Sequence, residues 1–390
     1  MRIETIRAVT RRYLLGVLSV IGIAAFLACT GRQSESGFTP DEPDATGVGV
    51  RSAADIYVPP RGYVCYRAES LVVVDGKLDD VAWRAAPWTE EFVDIEGAIR
   101  QRPRFRTRAK MLWDDRYFYI GAQLQEPHVW GTLTRHDSVI FQDNDFEVFI
   151  DPDGDNHNYA ELELNALNTT WDLRLPKPYR DGGKADDAWE IEGLKTAVHV
   201  DGTLNDPHDT DQGWSVEIAI PWPALGKLAR VPAPPRDGDQ WRANFSRVEW
   251  QFRTEGGRYE KVKGTREDNW VWSPQGVVDM HRPEKWGYVQ FSTARPGQAT
   301  FRPDPAGPAR HLLERIYYAQ TAFHKQNAHY AESLDKLHLT GPRCEGLIGD
   351  PALQSDRDGY QATVTVRYPD GRSRRWRIRE DSRVSEVEAN

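Results

Sequence analysis

The stretch DNDFEVFIDPDGDNHNYAELELNALNTTWDL, residues 143–173, decides the fold of this chain. In its first part every second residue is apolar, namely Phe146, Val148 and Ile150. After a polar turn, residues 161–165 alternate in the same way, and a period of two predicts strands. Each strand would turn one face to an apolar core and a second face, lined with carboxylates and amides, outward. Such a face is typical of a β-sandwich and suits a ligand rich in hydroxyl groups.

The N-terminus predicts an export signal followed by a tether. Four arginines precede a mostly apolar run over residues 13–28, which is short for a membrane span, and a small residue stands before Cys29. The ending resembles that of a bacterial lipoprotein signal peptide, residues 1–29, so we expect a lipid on Cys29 and a location in the cell envelope. Plain secretion and an uncleaved anchor are the alternatives. Residues 30–61, rich in Ser, Gly, Asp, Pro and Thr, predict a flexible tether.

Charge and cysteine content narrow the class of partner and the compartment. Removal of the leader, with its four arginines and one glutamate, would lower the net charge from −9 to −12. An acidic surface argues against nucleic acid and against anionic lipid as partners. Besides Cys29, the chain holds only Cys65 and Cys344. In an oxidising compartment these two could form a disulfide, although two unrelated thiols are an equally good interpretation.

Short alternating runs separated by turn signals continue over residues 62–294. The predicted strands lie at residues 71–74, 108–112, 117–125, 196–200, 214–220, 241–250 and 286–292, with one short helix in residues 78–88. A proline-rich linker over residues 295–308 follows. Residues 309–390 predict a small unit with an amphipathic helix over residues 309–325 and a β-hairpin that turns at residues 369–371. We therefore expect an all-β, antiparallel β-sandwich with a C-terminal helix-plus-hairpin appendage.

The order of these elements resembles that of carbohydrate-binding module family 9, in its diverse family 9-like branch. The matching elements are VVVDGKLDDVAWRAAPW, AKMLWDDRYFYIGAQLQEPHVW, DNDFEVFIDPDGD, ELELNALN, GWSVEIAIPW, ANFSRVEW and KWGYVQFS. The resemblance implies a β-sandwich that binds sugars, often with structural calcium and often attached to glycoside hydrolases. The 14 tryptophans agree with sugar stacking, although core packing also explains many of them.

The sugar site implied by the resemblance is only partly kept. In the family, a terminal sugar lies between two tryptophans. The positions of this chain nearest to those tryptophans are Ile140-Phe141 and Met280-His281. A family arginine falls near Glu163, whereas the family's acidic residue is kept as Glu147. Sugar binding is therefore expected as a class of function, with the aromatic clamp either missing or rebuilt from other residues.

Two groups of aromatic and polar residues are candidates for rebuilding that site. Indole rings beside arginine and histidine would form a stacking platform with hydrogen-bonding groups, and burial at the end of the core is the alternative for some of them. The late group contains Arg247, Trp250, Trp270, Trp272, His281 and Trp286, of which Trp286 is expected in the core. The opposite wall is expected to contain Asn165, Trp171, Asp172, Tyr179 and Arg180, beside Glu147.

The acidic turn between the two strands is a candidate metal site. Asp151, Asp153 and Asp155 place alternating oxygen donors on a tight turn, which suits calcium. The alternative is a solvated turn capped by aspartate side chains.

The whole sequence predicts a non-catalytic, carbohydrate-binding lipoprotein of the cell envelope. The rival is a structural or interaction module that binds no sugar. Hydrolase carboxylates could come from Glu147, Glu161, Glu163 and Glu217, but only if two of them faced each other across a sugar. Haem ligation by Met111, Met280 or His281 is a further alternative, and core packing explains Met111 equally well.

Overall fold

The computed structural model describes residues 57–339 and 343–388. The signal peptide, Cys29 and the tether up to residue 56 lie outside the described residues, so their expected roles stay predictions. Among the helices of the described residues, none is long and apolar enough to cross a membrane.

Most of the predicted alternating runs form strands of one curled, 12-stranded sheet, and the described residues also contain a separate hairpin, β11-β12. The strands are β1 (Gly62–Arg67), β2 (Val93–Asp94), β3 (Thr107–Trp113), β4 (Tyr117–Gln125), β5 (Asp145–Asp151), β6 (Tyr159–Asn165), β7 (Thr170–Leu175), β8 (Lys195–Asp201), β9 (Gly213–Pro221), β10 (Gln240–Glu249), β11 (Phe252–Glu255), β12 (Arg258–Lys261), β13 (Asp268–Val271) and β14 (Gly287–Ser292). Two short helices, α1 (Val81–Ala85) and α2 (Trp222–Leu225), accompany them.

The large sheet folds over so that two layers share a core. One layer has the strand order β7-β6-β5-β10-β14, and the other has the order β3-β4-β9-β8. Strand β1 joins the layers, because it pairs in parallel with β14 on one side and with β3 on the other. The neighbouring strands within each layer are antiparallel. The predicted antiparallel β-sandwich is confirmed.

Strand alternation fills the core from both layers. Phe146, Val148 and Ile150 of β5 belong to one apolar cluster with Ile120 of β4 and Val216 of β9. Each of these side chains is at most 2% exposed. Burial of one such side chain stabilises the fold by about 1.5–3 kcal/mol relative to its exposure. The predicted inner face of residues 143–173 is therefore the core face.

The C-terminal residues form helix α3 and a four-stranded sheet. The helix spans Gly307–Asn327, and the sheet has the order β15 (Leu347–Ser355), β16 (Tyr360–Arg367), β17 (Ser373–Arg379) and β18 (Val384–Val387). The predicted helix and hairpin are thus present. Leu313 and Ile316 of α3 lie in one buried cluster with Val364 and Ile378 of the sheet.

The acidic turn after β5 is one contact between the sandwich and this C-terminal unit. Arg383 donates to Asp155 Oδ2 at 2.9 Å, and the Val384 amide donates to the Asp155 carbonyl at 3.1 Å. Asn156 Nδ2 donates to the carbonyl of Ser382 at 2.9 Å. The sandwich and the C-terminal elements lie within one compact unit.

Near the N-terminal end of the sandwich one local expectation is wrong, and another is met over a shorter range. Residues 71–74 form no strand, because the Val73 amide donates to Asp80 Oδ2 at 2.8 Å and is not free to pair with a neighbouring strand. The helix expected in residues 78–88 is only α1, which ends before Pro87. The residue before a proline disfavours helical backbone, so the early end has a local cause.

The possible disulfide is not formed in the described residues, since Cys65 and Cys344 are both free thiols. Cys65 is 0% exposed and packs in the sandwich core. Cys344 packs instead against the apolar cluster of the C-terminal unit. The interpretation as two unrelated thiols is therefore the one that the structure supports.

Candidate functional site

The outer face of β5, β6 and β7 carries a row of acidic and aromatic side chains. Strand register places Glu147 of β5 opposite Glu163 of β6. On the far side of β6, Trp171 of β7 lies opposite Glu163. Two residues along, Glu161 lies opposite Phe149. Because successive side chains of a strand alternate between faces, all of these residues point away from the core filled by β5.

A cavity of about 280 Å³ lies over this row. The outer faces of β5, β6 and β7 form its floor, and the segments before β5 and around β13 form its rim. Acidic and aromatic side chains dominate its lining, which includes Glu147, Glu161, Glu163, Glu267, Asp279, Phe141, Phe149, Trp171, Tyr179 and His281. No lysine or arginine of the described residues lines it.

Tyr179, Trp171 and Phe141 offer partly exposed rings to a ligand in the cavity. Tyr179 is 45% exposed, and its ring packs edge-on against His281 with 4.5 Å between ring centroids. Trp171 and Phe141 are half-buried. The Trp250 indole donates to the Phe141 carbonyl at 2.8 Å and so fixes that part of the rim. Rings and carboxylates on one concave surface can stack on an apolar ring face and accept hydrogen bonds from hydroxyl groups.

The carboxyl groups of the floor are buried, although the sequence predicts acids on an outward face. Glu147, Glu161 and Glu163 are 5%, 5% and 2% exposed. Burial raises the pKa of Glu147 to about 7. Burial, and then the charge of Glu147, raises the pKa of Glu161 and of Glu163 well above the usual range. The pKa of Asp145 is raised for the same two reasons. These acids therefore lack the counter-charge that usually stabilises a buried carboxylate.

His281 is the basic side chain of the rim, and it is neutral at pH 7. Burial, and then the charge of Arg180, lowers its pKa to about 4. Its Nδ1 lies 3.1 Å from the Tyr159 hydroxyl. A neutral imidazole can exchange hydrogen bonds with a ligand, but it does not neutralise the acids of the floor.

The sequence matches one protein-family model, described as carbohydrate family 9 binding domain-like, over residues 74–292. This match covers more than half of the 390 residues. The chain belongs to this family. The resemblance seen in the sequence is therefore confirmed, and the sandwich is a family 9 domain.

Two curated proteins are similar to part of this chain. Exoglucanase XynX of Acetivibrio thermocellus is 28% identical over 159 residues, which are 40% of this chain and 12% of that protein. Endo-1,4-beta-xylanase A of Thermoanaerobacterium saccharolyticum is 25% identical over 155 residues, which are 39% of this chain and 11% of that protein. The chain thus spans only about one tenth of the length of these relatives.

A solved structure that matches this chain is a family 9 carbohydrate-binding module from Caldicellulosiruptor kristjanssonii in complex with cellotriose. Its sequence is 16% identical to this chain, and its TM-score is 0.39. The superposition covers 63% of this chain and 100% of that chain.

The cavity is lined by several residues for which the family 9 resemblance predicts a role in sugar binding. Phe141 and His281, which stand nearest the positions of the two family tryptophans, both line it. Glu147 is the retained family acid, and Glu163 stands near the position of the family arginine. The predicted ligand residues that line the cavity are Glu147, Trp171, Tyr179 and His281.

Arg247 does not reach this cavity and is a structural residue, contrary to the expectation. It lies opposite Phe146 in the sheet and so points to the inner face. It is 1% exposed, and its Nη2 lies 2.7 Å from Glu126 and 2.8 Å from Glu249. Its guanidinium also lies over the Trp270 ring, 5.1 Å from the centroid. An arginine that is paired and buried in this way cannot bind an external sugar.

The expected platform of exposed indoles is wrong for Trp270 and Trp272, which are 3% and 0% exposed. Trp272 packs on Phe245 with 5.8 Å between centroids, and Trp270 packs edge-on against Phe105 at 6.3 Å. Trp286 is 0% exposed, as expected. The large apolar area of an indole explains why these rings fill the core.

Arg180 and Asn165 hold parts of the structure together beside the cavity. Arg180 donates to Glu284 at 2.9 Å and to the His281 carbonyl at 2.6 Å. Asn165 is 0% exposed and donates to Asp143 at 3.0 Å. Neither side chain lines the cavity, so the expectation that they contact the ligand is not met.

The residues of the predicted calcium turn lie together, with one oxygen from each of Asp151, Asp153 and Asp155 within 4.8 Å of the others. Asp151 accepts hydrogen bonds from two backbone amides of the turn, both at 2.9 Å. Asp155 accepts from one amide at 2.8 Å and from Arg383 at 2.9 Å. The protein's own donors thus occupy both oxygens of these two carboxylates, which fits a capped turn better than a calcium site. The turn is packed against the C-terminal unit and is not the solvated turn of the alternative.

Sequence reasoning misses part of the cavity lining. Glu161 and Glu163 follow from strand alternation, because they share the outer face of the sheet with Glu147. Glu267 and Asp279 lie in segments without a periodic pattern, so no sequence signal brings them to the cavity.

A second cavity, of about 680 Å³, lies on the other layer of the sandwich. Its lining includes Lys77, Arg106, His199 and Trp214. It contains none of the predicted ligand residues. It is the alternative binding site for a ligand.

Proposed function

We propose that the cavity over β5, β6 and β7 binds carbohydrate without transforming it. One observation carries the proposal: Phe141, His281 and Glu147, which the resemblance predicts at or near the sugar site of family 9, line a single cavity together with Trp171. The volume of about 280 Å³ lies at the lower end of small-molecule sites. We therefore expect it to take one terminal sugar unit.

The lining supports the two kinds of contact that a sugar needs. The apolar face of a pyranose ring would stack on Trp171 or Tyr179, while its hydroxyl groups would donate to carboxylates of the floor. Each contact is modest, so we expect micromolar to millimolar dissociation constants, which correspond to about −8 to −4 kcal/mol.

The arrangement of the acids favours binding over hydrolysis. Glu147 and Glu163 are cross-strand neighbours on one floor, so both lie on the same side of a sugar in the cavity. Hydrolysis of a glycoside needs two carboxyl groups that flank the scissile bond. We therefore expect no catalytic turnover.

A glycan panel tests this function. The purified protein, with folding verified by circular dichroism, would be titrated with xylose- and glucose-based oligosaccharides, because the curated relatives are named as a xylanase and an exoglucanase. We expect saturable binding to at least one series and no release of reducing ends. Folded protein that binds no glycan would favour the interaction-module alternative, and released reducing ends would contradict the non-catalytic part of the proposal.

We also propose that Cys29 carries a lipid that holds the domain at the cell envelope. The apolar run over residues 13–28 and the small residue before Cys29 support this. Cells fed labelled fatty acid should incorporate label into the wild-type chain and not into Cys29→Ser. Equal labelling of both chains would contradict the anchor.

A further inference from the structure

Three carboxylates meet beneath the cavity floor. Asp145 and Glu147 are alternate residues of β5, and Glu163 lies opposite Glu147 on β6. One oxygen from each of the three lies within 4.8 Å of the others. Oxygens that share one calcium ion at about 2.3–2.6 Å can be at most about 5 Å apart, so a single ion can reach all three.

Asp145 supplies an observation that is independent of this clustering. It is 0% exposed, and its Oδ1 accepts a hydrogen bond from the Val248 amide at 3.2 Å. Its second oxygen, Oδ2, has no hydrogen-bond partner among the described residues. A buried carboxylate oxygen without a donor is costly, and a bound cation is a partner that removes this cost.

Among the described residues, the side chains that line the cavity supply no positive charge in place of a cation. No lysine or arginine of the described residues lines the cavity, and His281 is neutral at pH 7. Glu147 and Glu163 are nevertheless direct cross-strand neighbours, and like charges in such positions destabilise a sheet. A cation from outside the chain would therefore stabilise the acidic floor of the cavity.

We infer that Asp145, Glu147 and Glu163 bind a divalent cation of the calcium type at the cavity floor, and that this cation takes hydroxyl oxygens of the sugar as further ligands. The second half of this inference rests on the proposed function. Asp145 does not line the cavity, so an organic amine that enters from the cavity would reach only Glu147 and Glu163. A metal ion is small enough to lie among all three carboxylates.

Calcium binding tests the site itself. The full-length protein, stripped with EDTA, would be titrated with calcium chloride in a calorimeter. We expect one calcium ion per chain and an affinity at least about tenfold lower in Glu163→Gln, since the loss of even an outer-shell partner costs about 10–100-fold. Asp145→Asn serves as a second variant, and thermal unfolding verifies that both variants are folded.

The matched control is Asp153→Asn, which alters an exposed acid of the turn after β5. This variant should bind calcium as the wild type does. Calcium affinity that falls in Asp153→Asn and stays constant in Glu163→Gln would place the ion in the turn and overturn the inference. Failure of calcium to bind the folded wild type would overturn it as well.

Sugar titrations with and without EDTA distinguish this inference from the proposed function. We expect EDTA to weaken sugar binding at least about tenfold, with full recovery on adding calcium to the wild type and none in Glu163→Gln. Sugar binding that ignores EDTA would overturn the cation-bridged contact and leave the proposed function intact. Binding restricted to amino sugars and insensitive to EDTA would overturn it in favour of an organic ammonium ligand. Calcium binding without any sugar binding would support the metal site and contradict the proposed function.

Discussion

The two clusters of buried acids in this sandwich differ in what neutralises them. In the Arg247 cluster, Arg247 lies 2.7 Å from Glu126 and 2.8 Å from Glu249, and all three side chains are at most 1% exposed. The positive charge is part of the chain, so these two acids have an internal counter-charge. The cluster ties β10 to the residue that follows β4 and therefore has a structural role.

The floor cluster, formed by Asp145, Glu147 and Glu163, is as deeply buried but has no such arginine. Its side chains are 0%, 5% and 2% exposed, and two of them line the cavity. The comparison teaches that the function of a buried acid depends on the origin of its counter-charge. An internal counter-charge indicates structure, whereas a missing one beside a cavity indicates a binding site.

The largest expected effect lies in the Arg247 cluster. Arg247→Met should lower the free energy of unfolding by about 3–5 kcal/mol, because it removes the buried partner of two buried carboxylates and leaves only the longer contact of Glu249 with Arg104, at 3.5 Å. Urea denaturation measures this loss. The control is Arg253→Met, which breaks the exposed Arg253–Glu255 pair and should cost at most about 1 kcal/mol. Equal losses in the two variants would remove the contrast between a structural and a surface ion pair.

The next effect concerns His281 and the pH dependence of stability. Its folded-state pKa of about 4 lies below the ordinary value of 6.5. Between these values the unfolded chain binds a proton that the folded chain does not, so the free energy of unfolding falls as pH drops from 6.5 to 4. The wild type should lose about 3 kcal/mol more over this range than His281→Gln. Parallel stability curves would show that His281 is charged and acts as an internal cation for the floor.

A smaller effect is expected on sugar affinity at the cavity wall. Trp171→Ala should weaken binding about tenfold, or about 1.4 kcal/mol, because it removes a stacking surface. The control is Trp88→Ala, a half-buried tryptophan outside the cavity whose ring lies under Arg108 at 3.9 Å. Titration calorimetry with the best glycan of the panel measures both. An equal loss in Trp88→Ala would move the binding site away from β7.

The smallest effect distinguishes the two clusters by its sign. In metal-free buffer, at a pH above the raised pKa values of both glutamates, Glu163→Gln should raise the free energy of unfolding by about 0.2–1 kcal/mol, because it removes a like charge opposite Glu147. Glu249→Gln should lower it, because that change removes a partner of Arg247. Urea denaturation of both variants gives the sign of each change in the free energy of unfolding. A decrease in both variants would mean that the floor acids are already neutralised.

Much of the fold was accessible from the sequence because it follows from periodicity. The alternation of Phe146, Val148 and Ile150 predicts both β5 and its core face, and the helical spacing of the C-terminal segment predicts α3. Residues 71–74 have the same apolar character and still form no strand. The periodic pattern does not reveal the reason, which is that the Val73 amide donates a hydrogen bond to the Asp80 side chain.

The site was harder to predict because it depends on which face a residue takes and on what covers that face. Trp270, Trp272 and Arg247 have the chemistry of a sugar site, yet register turns Arg247 inward and packing buries the indoles. Glu163 is a site residue whose role the sequence does not predict. The resemblance shows only that it stands near the position of a family arginine, and the structure shows that it lies next to Asp145.

A crystal structure of the protein with its best-binding oligosaccharide tests the central claim most directly. We expect a terminal sugar ring in the 280 Å³ cavity, stacked on Trp171 or Tyr179 and with hydroxyl groups directed to Glu147 and Glu163. A sugar bound instead in the 680 Å³ cavity beside Lys77 and Trp214, with the first cavity holding only water, would contradict it.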